Sequence, residues 1–242
     1  MKSVSVVIPA LNEEQGIGFV LREIPVDELC SAGYDVEIVV VDNGSTDGTA
    51  AVARSHGATV ISQPERGYGN AYRKGFAYAR GDVIATGDAD LTYPFGAVPD
   101  LLGRLVEGWD FVNTDRLSRV DRSVMSPTHM AGNLILSLMA RMLFGAPFKD
   151  SQSGMWLFKR EILEHLRTPS PGMAFSQEIK LEAYLRGFRC TEMPIEYRAR
   201  AGECKLNTLL DGARNARHLV RMWRDHSPQR TARAALSTGS SA

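Results

Sequence analysis

Val83-Ile84-Ala85-Thr86-Gly87-Asp88-Ala89-Asp90 is the stretch on which the reading of this chain turns. A short apolar run followed by glycine and two acids predicts a buried strand that ends at a sheet edge. Carboxylates spaced i, i+2 project to the same side there. The carboxyl edge of an open α/β sheet is where such folds bind ligands. Two hard oxygen donors at that edge, Asp88 and Asp90, suit Mg²⁺ or Mn²⁺ clamped on a diphosphate, the ion neutralising charge as the leaving group departs. Aspartates also cap ordinary turns, so the pair alone leaves a structural role open.

On either side of this stretch, apolar runs at 4–8, 36–41, 59–61 and 111–112 read as further strands. Helical patterns near 14–24, 47–56, 69–80 and 96–107 alternate with them. That alternation predicts βαβ units and a mainly parallel sheet flanked by helices, an α/β fold class. Runs rather than strict alternations are expected of strands covered on both faces. Beyond residue 114 comes a polar stretch, 115–127, then a strongly apolar helix at about 129–144. Helices near 159–166 and 176–186, a strand near 191–197 and a last helix at 207–225 follow. The expected organisation is a single domain over 1–226 and a disordered tail over 227–242, which is rich in Ala, Ser and Arg.

The chain has 242 residues, enough to bury one good core, and balances 28 basic against 28 acidic residues. Nothing global therefore points to nucleic acid. Cys30, Cys190 and Cys204 are odd in number and lack metal spacing, which predicts a reduced, cytoplasmic protein. The N-terminal apolar run is too short for a signal peptide, and no run reaches the roughly 18–20 apolar residues that cross a bilayer. The histidines are scattered and suggest no metal cage.

Three further motifs follow strands. Val6-Val7-Ile8-Pro9-Ala10-Leu11-Asn12-Glu13-Glu14 leaves a strand at proline and enters a helix with early acids. Those acids suit the helix dipole, and the turn also suits a nucleoside held by Asn12 or Glu13. Val41-Asp42-Asn43-Gly44-Ser45-Thr46-Asp47-Gly48-Thr49 repeats the geometry one unit later. A cap needs only one of these polar residues, and Asp42 is placed to accept from a base N–H. Arg66-Gly67-Tyr68-Gly69-Asn70-Ala71-Tyr72-Arg73-Lys74-Gly75 opens another helix with glycines and cations, though not with the dinucleotide or P-loop spacing. Its backbone suits a diphosphate at a helix N-terminus, and equally a flexible cap.

Taken in order, these motifs resemble the inverting family-2 glycosyltransferases with a GT-A fold, a Rossmann-like nucleotide-diphospho-sugar transferase architecture. Within them the chain is most similar to dolichol- or polyprenol-phosphate sugar synthases. The resemblance spans roughly 4–207 and extends to residues 110–116, to Asp150-Ser151-Gln152-Ser153-Gly154, and to Arg200-Ala201-Gly202-Glu203-Cys204-Lys205. It implies transfer of a hexose from a GDP- or UDP-sugar to a polyprenyl or dolichyl phosphate, with Mg²⁺ or Mn²⁺ as cofactor. Pro9, Ala10, Asn12, Glu13, Asp42, Gly44, Ser45, Gly67, Asn70, Lys74, Asp88, Ala89 and Asp90 would contact the nucleotide sugar. Asp90, with Asp88, would ligate the metal. Arg116, with Arg119 or Arg122, would face the acceptor phosphate, and Arg200 and Lys205 would close over the donor diphosphate. The chain departs from the family pattern at Thr92, at Thr114-Asp115-Arg116, where an acid stands beside the proposed phosphate-binding arginine, and at Cys204.

An inverting transfer needs in-line attack on the anomeric carbon and a stabilised leaving group. A phosphate monoester, with a second pKa of about 6, is already a dianion at neutral pH and needs positioning rather than a base. A hydroxyl acceptor, the alternative reading of a soluble glycosyltransferase, would need one, and Asp150 or Glu178 would be the candidates. A nucleotide-sugar-binding protein without catalysis is a third class, against which the intact acid pair weighs. In helix 207–225, Leu209, Ala213, Ala216, Leu219, Val220 and Trp223 form an apolar stripe beside Arg214, Arg217, Arg221 and Arg224. That layout suits either a peripheral membrane helix or a stripe packed on the core with a solvated basic face. Helix 129–144 reads as either buried or part of an isoprenoid groove.

Overall fold

The structure is a computed structural model that describes residues 2–119, 124–200 and 208–226. The expected tail at 227–242 lies outside the described residues. Seven strands of the described residues form one sheet: β1 (Ser3–Ala10), β2 (Asp35–Asp42), β3 (Thr59–Ser62), β4 (Val83–Thr86), β5 (Phe111–Asp115), β6 (Trp156–Lys159) and β7 (Cys190–Pro194), in the order β3-β2-β1-β4-β6-β5-β7. β1 pairs in parallel with β2 and β4, β2 with β3, and β5 with β7. β6 runs antiparallel between β4 and β5.

Among the described residues eight α-helices cover the sheet: α1 (Ile17–Glu23), α2 (Val26–Ser31), α3 (Thr49–Ser55), α4 (Tyr68–Tyr78), α5 (Val98–Val106), α6 (Pro127–Phe144), α7 (Phe175–Leu185) and α8 (Thr208–Asp225). Alternate residues of β1 face opposite layers, as the period of a strand requires. Val4, Val6 and Ile8 pack with α1, α2, α3 and α5, while Val7 packs with α4, α6, α7 and α8. Gly75 lets α4 approach β1 closely, because a Cβ there would stand 2.4 Å from the Val7 Cγ1.

The structure departs from the sequence reading in particular places. β6 was not expected: four residues buried within a mixed sheet carry no periodicity that separates strand from helix. Residues 160–165 form a 3-10 helix rather than an α-helix, and α2 is an additional short helix. α1 starts at Ile17 rather than near 14, because the backbone N–H groups of Glu13 and Glu14 donate to Thr49 Oγ1 and Asp47 Oδ2 instead of joining a helix.

The two C-terminal helices settle differently from one another. α8 turns Asn215, Leu219 and Met222 inward, with Ala216 and Trp223 partly buried against the same core. Ala213 and Val220 are exposed, so the expected stripe is divided, and Ala216, Leu219 and Trp223 pack on the protein; the side chain of Leu209 lies outside the described residues. α6 is not wholly buried, and through His129, Asn133 and Leu136 it lines part of a cavity. It buries Leu136, Ala140 and Phe144 and exposes Leu134, Ile135, Leu138 and Met142. Among the described residues no helix is long and apolar enough to cross a membrane.

Candidate active site

The carboxyl ends of β1, β4 and β5 open onto a cavity of about 720 Å³. Asp88, Ala89 and Asp90, leaving β4, line it, as do Pro9, Ala10, Leu11 and Glu13 from the end of β1 and Gly67, Tyr68 and Ala71 from the start of α4. Arg116, just past β5, and Arg200 bring positive charge to the same space. Beyond Arg116 the cavity continues between the N-terminal parts of α6 and α8, along Met125, His129, Asn133, Leu136 and Asn215.

The acid pair is built by short-range chemistry. Asp90 accepts at Oδ1 from Thr92 N and Thr92 Oγ1, at 3.1 and 2.6 Å, and its Oδ2 meets the Arg200 guanidinium at 2.8 Å. Thr92, one of the departures from the family pattern, thus orients the acid from within its own turn. Asp88 Oδ1 accepts from the Tyr68 hydroxyl at 3.1 Å. Burial and the neighbouring Asp90 charge push Asp88 up to about 7, against the pull of Arg200 and Tyr68. Two carboxylates leaving one strand end, one of them inclined by burial and by its neighbour's charge to hold a proton, are a donor set that fits a hard divalent cation. Among the described residues no group of three or more His, Cys, Asp or Glu could hold a metal ion. The chain would therefore supply one or two acidic ligands, leaving the remainder to diphosphate oxygens or water.

Arg116 is buried and held twice by Asp150, through Nε at 2.7 Å and a terminal nitrogen at 3.0 Å, while its backbone N–H donates to the same carboxylate. Its guanidinium also lies 5.2 Å from the Tyr197 ring centre. Burial raises Asp150, but the charge and hydrogen bonds of Arg116 outweigh it and hold the carboxyl below its ordinary range. A guanidinium carries five N–H donors, so the bidentate pair leaves some of them for the cavity. Gly154, at the end of the same loop, donates its N–H to the Tyr93 hydroxyl at 2.6 Å, and a Cβ there would stand 2.6 Å from the Tyr68 hydroxyl.

Of the residues expected at the site, Pro9, Ala10, Glu13, Gly67, Asp88, Ala89, Asp90, Arg116 and Arg200 meet around this cavity. Asn12, Asp42, Gly44 and Ser45 are not among its lining residues; Asn12 and Ser45 join the loops that follow β1 and β2, and Asp42 and Gly44 are bonded within or beside the second of them. The Asn12 N–H donates to Ser45 Oγ, its side-chain oxygen accepts from Thr46 N, and Asp42 accepts from Ser45 N. The Gly44 carbonyl accepts from Arg66 at 3.3 Å. Asn70 bonds Arg73 and the carbonyl of Arg66, Lys74 is exposed on α4, and Arg119 is exposed beyond β5. Arg122 and Lys205 lie outside the described residues. Glu178 is buried on α7, accepting from Ser170 N and 3.0 Å from His218 Nε2, so neither it nor Asp150 is disposed as a base.

Sequence reasoning missed several lining groups. Tyr68 and Tyr93 were not among the expected site residues, although Tyr68 sits between two glycines of a motif already singled out. Asn43 reads as a turn residue, whereas its side chain donates to the Gln63 and Glu65 carbonyls and accepts from Gly67 N, fixing the loop that enters α4. His129 carried no local signal. Partial burial, with Arg116 and Arg200 nearby, holds its pKa below the ordinary value.

The Glycosyl transferase family 2 profile matches residues 5–167. The chain is 38% identical over 224 residues to the low-salt glycan biosynthesis hexosyltransferase Agl6 of Haloferax volcanii, covering 90% of this chain and 53% of that protein, so it spans about half of that relative. It is 36% identical over 219 residues to the dolichyl-phosphate hexose transferase of the same organism, covering 90% of this chain and 92% of that one. Among solved structures, glucosyl-3-phosphoglycerate synthase from Mycobacterium tuberculosis, in complex with Mn²⁺, UDP and glucosyl-3-phosphoglycerate, superposes with a TM-score of 0.70 at 26% identity, covering 90% of this chain and 77% of that one. The mixed seven-stranded sheet with its acid pair at the carboxyl edge is thus a GT-A fold, and the chain belongs to glycosyl transferase family 2 as a glycosyltransferase.

Proposed function

We propose that this glycosyltransferase moves a hexose, with inversion, from a nucleotide-diphospho-sugar to a polyprenyl or dolichyl phosphate. The observation that carries the reading is the single cavity shared by Asp88, Asp90, Arg116 and Arg200, which runs on past Arg116 between α6 and α8. Its two parts suit different ligands. The polar end at β1, β4 and α4 suits a nucleoside diphosphate. The part lined by Met125, Leu136 and Met173 offers apolar surface beside a cation, which suits a phosphate bearing an isoprenoid chain. The similarity to a dolichyl-phosphate hexose transferase over nearly the full length of both chains supports the same acceptor class.

Asp90, with Asp88 beside it, would hold Mg²⁺ or Mn²⁺, and the bound ion supplies positive charge against the departing diphosphate. Arg200 adds charge from the protein itself, already oriented by Asp90. Arg116 offers its remaining N–H groups to the acceptor phosphate, with Asp150 fixing its plane and Tyr197 its face. A phosphate dianion attacks without losing a proton, so the commitment of Asp150 to Arg116, and of Glu178 to Ser170 and His218, is consistent with this acceptor.

The test is turnover of a panel of nucleotide sugars with a short, water-soluble prenyl phosphate and Mn²⁺. Asp90→Ala should lose several kcal/mol of transition-state stabilisation, roughly a thousandfold in rate. Full activity in Asp90→Ala, or in excess chelator, refutes the assignment. Turnover of glycan hydroxyls but of no prenyl phosphate refutes the acceptor.

A further inference from the structure

The outer face of α6 is largely apolar, with the exposed Arg141 near its end. Leu134, Ile135, Leu138 and Met142 recur at helical spacing, and all four are exposed, Met142 at 76% and Ile135 at 60%. No Asp or Glu occurs anywhere in α6. A contiguous apolar stripe of this kind, left on the surface by a helix whose other side fills the core, marks an interaction surface. α8 packs beside α6 over that core, and its outward side carries Arg214, Arg217, Arg221 and Arg224, all exposed. The acids of α8 are Asp211, which pairs with Arg214 at 3.4 Å, and the exposed Asp225 at its end. In a chain whose charges balance at 28 to 28, this pair of helices is locally basic.

The geometry points to the paired outer faces of α6 and α8 as the surface by which the protein lies on an anionic lipid bilayer, the α6 stripe entering the interface and the α8 arginines meeting lipid phosphates. Apolar side chains flanked by cations with few acids are the complement of such a surface. A second copy of the chain fits poorly, since a two-fold contact would bring these arginines together with few acids facing them. The cavity is lined by the first two turns of the same helices, at His129 and Asn133 on α6 and Asp211 and Asn215 on α8. An acceptor held in a bilayer would enter there without leaving the lipid. The inference locates the acceptor side of the proposed reaction and rests on that reading for its purpose, but not for its test.

The experiment is vesicle flotation of the full chain with phosphatidylcholine vesicles containing 30% phosphatidylglycerol, and with phosphatidylcholine alone, at low and high salt. Wild-type protein should float with the anionic vesicles at low salt and be released at high salt. Leu138→Glu/Met142→Glu, a surface variant expected to keep its fold by circular dichroism, should lose about tenfold or more in partitioning. Arg217→Gln/Arg221→Gln should lose about fivefold for each arginine. Turnover of the water-soluble prenyl phosphate should be unchanged in both variants. Wild-type protein that stays at the bottom with anionic vesicles overturns the inference. So does a concentration-dependent dimer, seen by light scattering, that Leu138→Glu/Met142→Glu abolishes. Flotation without prenyl-phosphate turnover would instead overturn the acceptor and leave the docking face intact.

Discussion

Asp150→Asn keeps the shape of the side chain but removes the charge that holds Arg116. The buried guanidinium then loses a bidentate partner at 2.7 and 3.0 Å and keeps only neutral acceptors. Breaking a buried pair from one side costs about 3–5 kcal/mol, because the remaining charge stays desolvated. In a domain of this size each kcal/mol moves the melting temperature by about 2–4 °C, so a fall of about 10 °C is expected by calorimetry. The pH dependence has a definite sign. Asp150 has a depressed folded pKa, so its contribution is present above the unfolded value of about 4 and is lost as pH falls through the lower folded value. The difference between wild type and Asp150→Asn should therefore be constant from pH 7 to about 5 and shrink below about pH 4. Replacing the pair by Arg116→Met/Asp150→Leu should recover much of the stability and none of the transfer activity. An unchanged melting temperature in Asp150→Asn, or a stability difference that grows toward acid, refutes the reasoning.

Asn43→Ala removes the three hydrogen bonds that fix the loop entering α4; thermal melts should show a loss of about 2–3 kcal/mol, and kinetics a raised donor KM. Gly75→Ala places a Cβ 2.4 Å from Val7 Cγ1, and denaturant titration should show a cost of about 1–3 kcal/mol from overpacking. Arg116→Ala/Asp150→Ala, which leaves no buried charge behind, should weaken a prenyl-phosphate acceptor while calorimetry finds donor binding nearly intact.

The parallel half of the sheet was legible because β1, β2, β3 and β4 are apolar runs closed by turn residues, and such runs signal strands wherever both faces are covered. The other half was less so. β6 is too short to show a period, and its antiparallel placement depends on the loop at 150–155, whose conformation is set by tertiary partners such as Asp150 with Arg116 and Gly154 with Tyr93. The acids at 88 and 90 could be read from their place after β4. Their partners could not: Tyr68 lies 20 residues from Asp88 and Arg200 more than a hundred from Asp90, and nothing local marks such pairs. For Asn12 and Asp42, polar residues after a strand suggested ligand contacts; the structure adds that Asn12 joins two loops and that Asp42 accepts from Ser45 N within its own.

The reversed direction of β6 has a consequence for how the site is assembled. Chains running parallel would deliver only their outgoing turns to the catalytic edge. Because β6 points the other way, it brings an incoming loop, ending at Gly154 and Met155, to the same edge as the outgoing turns of β4 and β5. The sheet order then sets Asp88 and Asp90 two strand spacings, about 10 Å, from Arg116, with that incoming loop as the spacer. The spacing between the acid pair and Arg116 is thus a property of hydrogen-bonded strands, which hardly stretch. In the reaction proposed above, it would fix the distance between donor and acceptor whatever acceptor is used.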